Sequence, residues 1–150
     1  MKPFALAAAL CLAASALTAS AQPLKPEKEI QLRQSAYALM GYNFANLGAM
    51  AQDKKPYNKD EAIRDADFVA LLATEPRNHF LEGTDKGRDT KAKPEIWQKR
   101  SDFDSKMDKM VSETGKLPAV ARNGDLAALK AAVGETGKAC KACHDEYRQK

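Results

Sequence analysis

Histidine is scarce in this chain, with two residues in 150, and cysteine is nearly as rare, with three. A structural zinc centre takes four ligands of these types. Cys140, Cys143 and His144 supply three, so a zinc site would need a further ligand, and the only other histidine is His79. No convincing alternation of apolar and polar residues marks a strand, so a redox dithiol set in a βαβ unit is not expected. No clustered basic residues accompany the formal charge of +4, and acids and bases are interspersed. That pattern makes no case for nucleic acid. The longest apolar run, Phe4 to Leu17, is shorter than the ~20 residues a membrane-spanning helix needs.

That run does fit a leader. Met1-Lys2-Pro3 is a basic start, an alanine-rich apolar segment follows, and Thr18-Ala19-Ser20-Ala21 ends it with small residues in the A-x-A arrangement. Residues 1–21 are therefore read as a secretory signal peptide, with cleavage before Gln22 and no membrane attachment afterwards. Cys11 leaves with it, since Leu10 precedes it and no convincing lipoprotein context surrounds it. The mature chain, residues 22–150, keeps two cysteines, and its charge falls from +4 to +3 with the loss of Lys2. It is one domain in length.

Four amphipathic segments stand out. The first runs from about Glu27 to Ala51 behind Pro26, with Ile30, Tyr37, Met40, Phe44, Leu47 and Met50 as its apolar members. The second runs from about Asp60 to Thr74, capped by Asn58, with Ile63, Phe68, Leu71 and Leu72 as its apolar groups, and Pro76 stops it. A Gly-, Asp- and Lys-rich loop follows from Arg77 to Lys93, where His79 is expected to be exposed. The third helix starts at Pro94, carries Ile96, Trp97, Phe103, Met107, Met110 and Val111, and is closed by Gly115 and Pro118. The fourth runs from about Asp125 to Arg148 through Leu126, Leu129, Val133 and Ala139. Gly134 and Gly137 inside it each cost ~1 kcal/mol relative to alanine. The close approach of something bulky, or a simple packing need, would account for them. The pattern predicts an all-α, antiparallel up-down four-helix bundle.

Near its end the chain reads Cys140-Lys141-Ala142-Cys143-His144. C-x-x-C-H is the attachment signature of c-type haem. Residues three and four apart share a helical face, so both sulfurs and the imidazole point the same way. The thiols then add to the vinyl groups as thioethers, and His144 becomes an axial ligand of iron. A disulfide between neighbours on one turn would gain little loop entropy. Export and haem attachment agree, because bacteria attach haem c in the periplasm. Only Asp145 to Lys150 follow His144, and none is methionine or histidine, so any second axial ligand comes from earlier in the chain.

The run Cys140 to Arg148 resembles the end of the cytochromes c′. Arg33-Gln34-Ser35-Ala36-Tyr37 and Met40-Gly41-Tyr42-Asn43 resemble their first helix. Glu82-Gly83-Thr84-Asp85 and Lys93-Pro94-Glu95-Ile96-Trp97 resemble their middle region. The resemblance covers essentially the whole mature chain. It implies a periplasmic bundle with one covalent haem c, five-coordinate and mainly high-spin. Its apolar distal pocket takes nitric oxide and carbon monoxide, and the protein is a homodimer through the first two helices. Related low-spin bundles place a methionine four residues after the first-helix arginine. Here that position is Tyr37, which favours an open iron site that the tyrosine ring shields.

Without the resemblance, Tyr37 reads as ordinary core. Met40 could ligate iron in principle, but its spacing suits core or pocket lining, and Met107 and Met110 suit core. The resemblance gives Arg33 and Arg148 roles beside the haem, with a forked cation for a propionate or for charge near iron. Trp97 is either core or haem edge. Lys138 and Lys141 form a solvated face or a weakly basic rim for an acidic redox partner. The alternative function is single-electron transfer between periplasmic partners. A peroxidase needs a distal acid–base group, and no spare histidine is well placed for that, so the chain is not read as an enzyme.

Overall fold

The computed structural model describes residues 23–150. The leader expected over residues 1–21 and its cleavage point lie outside the described residues. Among the described residues six α-helices follow one another: α1 Pro26–Ala51, α2 Lys59–Leu72, α3 Glu95–Gln98, α4 Arg100–Thr114, α5 Leu117–Asn123 and α6 Leu126–Tyr147. A 3₁₀ turn, Pro76–His79, sits between α2 and α3. The four long helices α1, α2, α4 and α6 form the antiparallel four-helix bundle. In it α1 packs on α2 and α6, and α4 packs on α6 and α2.

The ends of the helices follow local chemistry. Pro26 opens α1, where a missing N–H costs nothing, and Glu27 and Glu29 lie in its positively polarised first turn. The Asn58 side chain accepts from Glu61 N–H at 3.0 Å and caps α2. Asp125 accepts from the N–H groups of Ala127 at 2.9 Å and Ala128 at 3.2 Å and caps α6. Gly124, at φ 74°, ends α5 in the left-handed conformation that glycine adopts freely.

The structure corrects the expected third helix. The helix breaks at Lys99 (φ −114°, ψ 46°), which separates short α3 from α4. Pro118 does not close a helix; it lies in the first turn of α5, where proline is tolerated. The buried face of α2 also differs. Ala62, Asp65, Ala66 and Val69 face inward, while Phe68 and Leu71 are 48% and 63% exposed. Small residues at that spacing bring α2 close to α1, and the larger apolar groups turn outward. Gly134 and Gly137 are not crowded by protein, since a Cβ on either meets nothing within 4 Å.

At the heart of the core Phe80, Phe103 and Tyr147 stack edge to face. Their ring centroids are 4.9 Å apart for the first pair and 5.4 Å for the second. A short antiparallel bridge joins Ala92 to Arg148, with Lys93 N–H donating to Tyr147 O at 3.0 Å and Gln149 N–H to Lys91 O at 2.8 Å. This contact ties the long loop to the end of α6.

Candidate haem site

A cavity of about 520 Å³ opens between α1, α4, α6 and the loop. That volume lies within the ~300–1,000 Å³ range of cofactor sites. Helical spacing on α6 puts Cys140, Cys143, His144 and Tyr147 along one wall. Both cysteines are free and half-buried. Burial raises both thiols, Cys143 to about 11, so they stay protonated and lack the lowered pKa of a redox dithiol. The His144 imidazole sits at the exposed rim. Desolvation, and then the neighbouring Arg148 charge, lower its proton affinity. It is neutral near neutral pH and keeps a nitrogen lone pair for a metal.

The facing wall comes from α1. Tyr37 is half-buried, and its hydroxyl donates to Met107 Sδ at 3.6 Å, a weak acceptor. Desolvation first, and then Cys143, push its phenol above the ordinary value of 10.0, so it is a neutral group facing the cavity. Met40 is buried in the core and also lines the cavity, as do Met107 and Met110.

The two arginines occupy different situations. Arg148 is exposed, borders the cavity, and caps α6 with its N–H on His144 O at 3.1 Å. Arg33 also borders the cavity but is 2% exposed. Its guanidinium donates to His79 O (3.0 Å), Thr84 Oγ1 (2.8 Å), Thr84 O (2.7 Å) and Thr90 Oγ1 (3.3 Å). It also lies over the Phe80 ring at 4.5 Å. Arg33 therefore binds the loop to α1 with donors that the resemblance assigned to the haem.

Trp97 is not brought to the site. Its indole N–H donates to Leu81 O at 2.8 Å, and its ring stands 6.1 Å from Phe80 without lining the cavity. His79 is not the exposed loop residue expected; its Nδ1 is 2.6 Å from buried Glu29 Oε2, away from the cavity. Sequence reasoning missed Phe80 and Tyr147. Tyr147 was accessible from spacing, three residues after His144 on the same helical face. Phe80 lies in an irregular loop and carries no periodic signal.

An apolar slot with two protonated thiols and a neutral imidazole on one helix fits a porphyrin held by thioethers and one nitrogen. Fold and site together define a c-type haem protein of the helical-bundle class. Comparison with known proteins places it further. The family model described as Cytochrome C' matches residues 28–148. The chain is 43% identical over 126 residues to cytochrome c′ of Rubrivivax gelatinosus, covering 84% of this chain and 98% of that one. Cytochrome c prime from Shewanella frigidimarina superposes with a TM-score of 0.82 at 40% identity, covering 86% of this chain and 100% of that one. The nitric oxide complex of a variant cytochrome c prime from Alcaligenes xylosoxidans does so at 0.78 and 35% identity, covering 86% and 99%. The chain belongs to the cytochrome c′ family, and its cofactor is covalent haem c with iron.

Proposed function

We propose that this protein is a periplasmic gas-binding cytochrome that takes up nitric oxide, and also carbon monoxide, and so traps nitric oxide. In this reading Cys140 and Cys143 form the thioethers and His144 is the single protein ligand to iron. When bound, the haem supplies an iron coordination position to which a diatomic gas binds. One observation carries the reading: His79, the chain's other histidine, is held by Glu29 and does not line the cavity. What α1 offers instead is Tyr37, a neutral phenol on a weak sulfur acceptor. Such a ring excludes water yet gives way to a small uncharged ligand. The nitric oxide complex of the relative supports the choice of gas. The leader over residues 1–21 supports the compartment.

The reading includes a homodimer through α1 and α2. Leu39 and Tyr42 on α1 are 57% and 69% exposed, and on the adjoining α2 Phe68 and Leu71 are similarly bare. Arg148 borders His144, which supports a role for its cation in where nitric oxide settles; an unchanged nitrosyl coordination in Arg148→Ala would remove that role.

The deciding test is the visible and electron paramagnetic resonance spectrum of the holoprotein before and after nitric oxide. High-spin iron that takes up the gas is expected. Low-spin iron indifferent to it would refute the reading, make Met40 the first suspect as a ligand, and make electron transfer the function.

A further inference from the structure

On α1, Gln34, Ala38 and Gly41 recur at helical spacing, and all three line the cavity. Ala38 and Gly41 are exposed, so this line forms the rim of the opening. Gly41 is in the interior of the 26-residue helix, where glycine is less stable than alanine. Among the described residues nothing requires glycine there. Its φ is not positive, and a Cβ would meet nothing within 4 Å. Gly115 is different, since a Cβ there would come 3.1 Å from Val111 O. Gly134 is as uncrowded as Gly41 and also exposed, but it does not line the cavity. The room left by the missing side chain at Gly41 is room in the cavity mouth.

A second observation points the same way. One turn earlier Tyr37 lines the same cavity, and among the described residues its hydroxyl is held only by Met107 Sδ at 3.6 Å. A bare rim thus stands beside a lightly held ring.

We infer that Gly41 is a specificity-determining residue: by leaving the α1 rim bare it sets the size of uncharged ligand that reaches the cavity beside Tyr37. The inference rests on the gas-binding reading. The Cβ of a branched side chain at Gly41 meets no described protein atom within 4 Å, and the rest of the side chain starts from the exposed rim, so it narrows the path. Small diatomics still pass, and a ligand with an alkyl tail is hindered.

The test uses ferrous holoprotein with carbon monoxide and n-butyl isocyanide as probes. Wild type, Gly41→Leu and Gly134→Leu are compared, and the haem-to-polypeptide ratio is read by intact mass. All three are expected to carry full haem. Gly41→Leu should slow n-butyl isocyanide association by roughly tenfold, as an overpacked path does, with carbon monoxide changed far less. Gly134→Leu should match wild type with both probes. Equal rates for Gly41→Leu and Gly134→Leu overturn the inference and leave gas binding standing. Loss of haem from Gly41→Leu also overturns it, because Gly41 then seats the macrocycle and does not set access. A wild-type protein that binds neither probe refutes both readings at once.

Discussion

Replacing Arg33 by methionine keeps an unbranched, helix-compatible side chain and removes the guanidinium. The structure gives that group four hydrogen bonds, two of them to the backbone carbonyls of His79 and Thr84. Thr84 is 2% exposed, so water does not replace the lost donors without opening the loop. Each buried acceptor left unpaired costs ~1–3 kcal/mol, and loss of the cation over Phe80 adds about 1 kcal/mol more. For the two backbone carbonyls the total is about 3–7 kcal/mol, a large share of the ~5–15 kcal/mol that holds a domain together. For a domain of this size that is a fall in Tm of about 10–25 °C. Thermal unfolding of the holoprotein followed by circular dichroism reads it directly. Cleavage of the loop by trypsin at Lys86 and Arg88 should quicken in parallel, because the loop is what Arg33 holds. Arg33→Lys should recover only a fraction, since an ammonium lacks the fork that spans Thr84 Oγ1 and Thr84 O. A loss below about 1 kcal/mol in Arg33→Met, with unchanged proteolysis, would refute the assignment of Arg33 as the anchor of the loop.

Asp125→Ala removes the cap of α6 and should cost about 1 kcal/mol in denaturant unfolding, with an unchanged midpoint counting against the capping role. Tyr37 and Tyr147 both have phenols pushed above 10.0 by burial. Their raised folded values stabilise the fold fully below pH 10 and lose that effect as the pH rises further. An alkaline absorbance titration should show a late step that shrinks in Tyr37→Phe and Tyr147→Phe, and a step of unchanged size would contradict it. Glu113 accepts from Lys109 Nζ at 2.6 Å and Lys116 Nζ at 2.7 Å, which hold its carboxyl below its ordinary value of 4.5. A depressed value stabilises above that pH and is lost as the pH falls through the folded value, so Glu113→Gln should flatten the acid limb of Tm against pH. Identical acid limbs would show that the two lysines contribute nothing.

Much of α6 was legible from sequence because its signals are local. The helix starts where expected, at Asp125; Leu129 and Val133 recur on one face, and the C-x-x-C-H spacing fixes what that face presents. The misread parts depend on partners far along the chain. Arg33 meets Thr84 across 51 residues, and His79 meets Glu29 across 50. Within a helix pattern a lone arginine looks solvated, and only the folded loop shows it buried. On α2 the pattern misled for another reason. Phe68 and Leu71 are apolar, but alanines at 62 and 66 allow the tighter contact, so the close-packed face is made of the smaller residues. Pro118 was read as a stop, although a proline is as much at home in the first turn of a new helix.

These misreadings bear on how the site is assembled. The motif on α6 supplies the chemistry of attachment, but it does not shape the space in front of it. That space is walled by α1 and α4 and completed from the loop by Phe80, Thr90, Lys91 and Ala92, none of which lies in a regular element. The loop keeps its course because it is fastened at both ends. Arg33 and the Glu29–His79 pair hold the first end, and the Ala92–Arg148 bridge holds the second. The second fastening sits one turn beyond His144, so the loop and the imidazole share a support. A change in the loop is therefore felt at the rim of the site, although no loop residue belongs to the attachment motif.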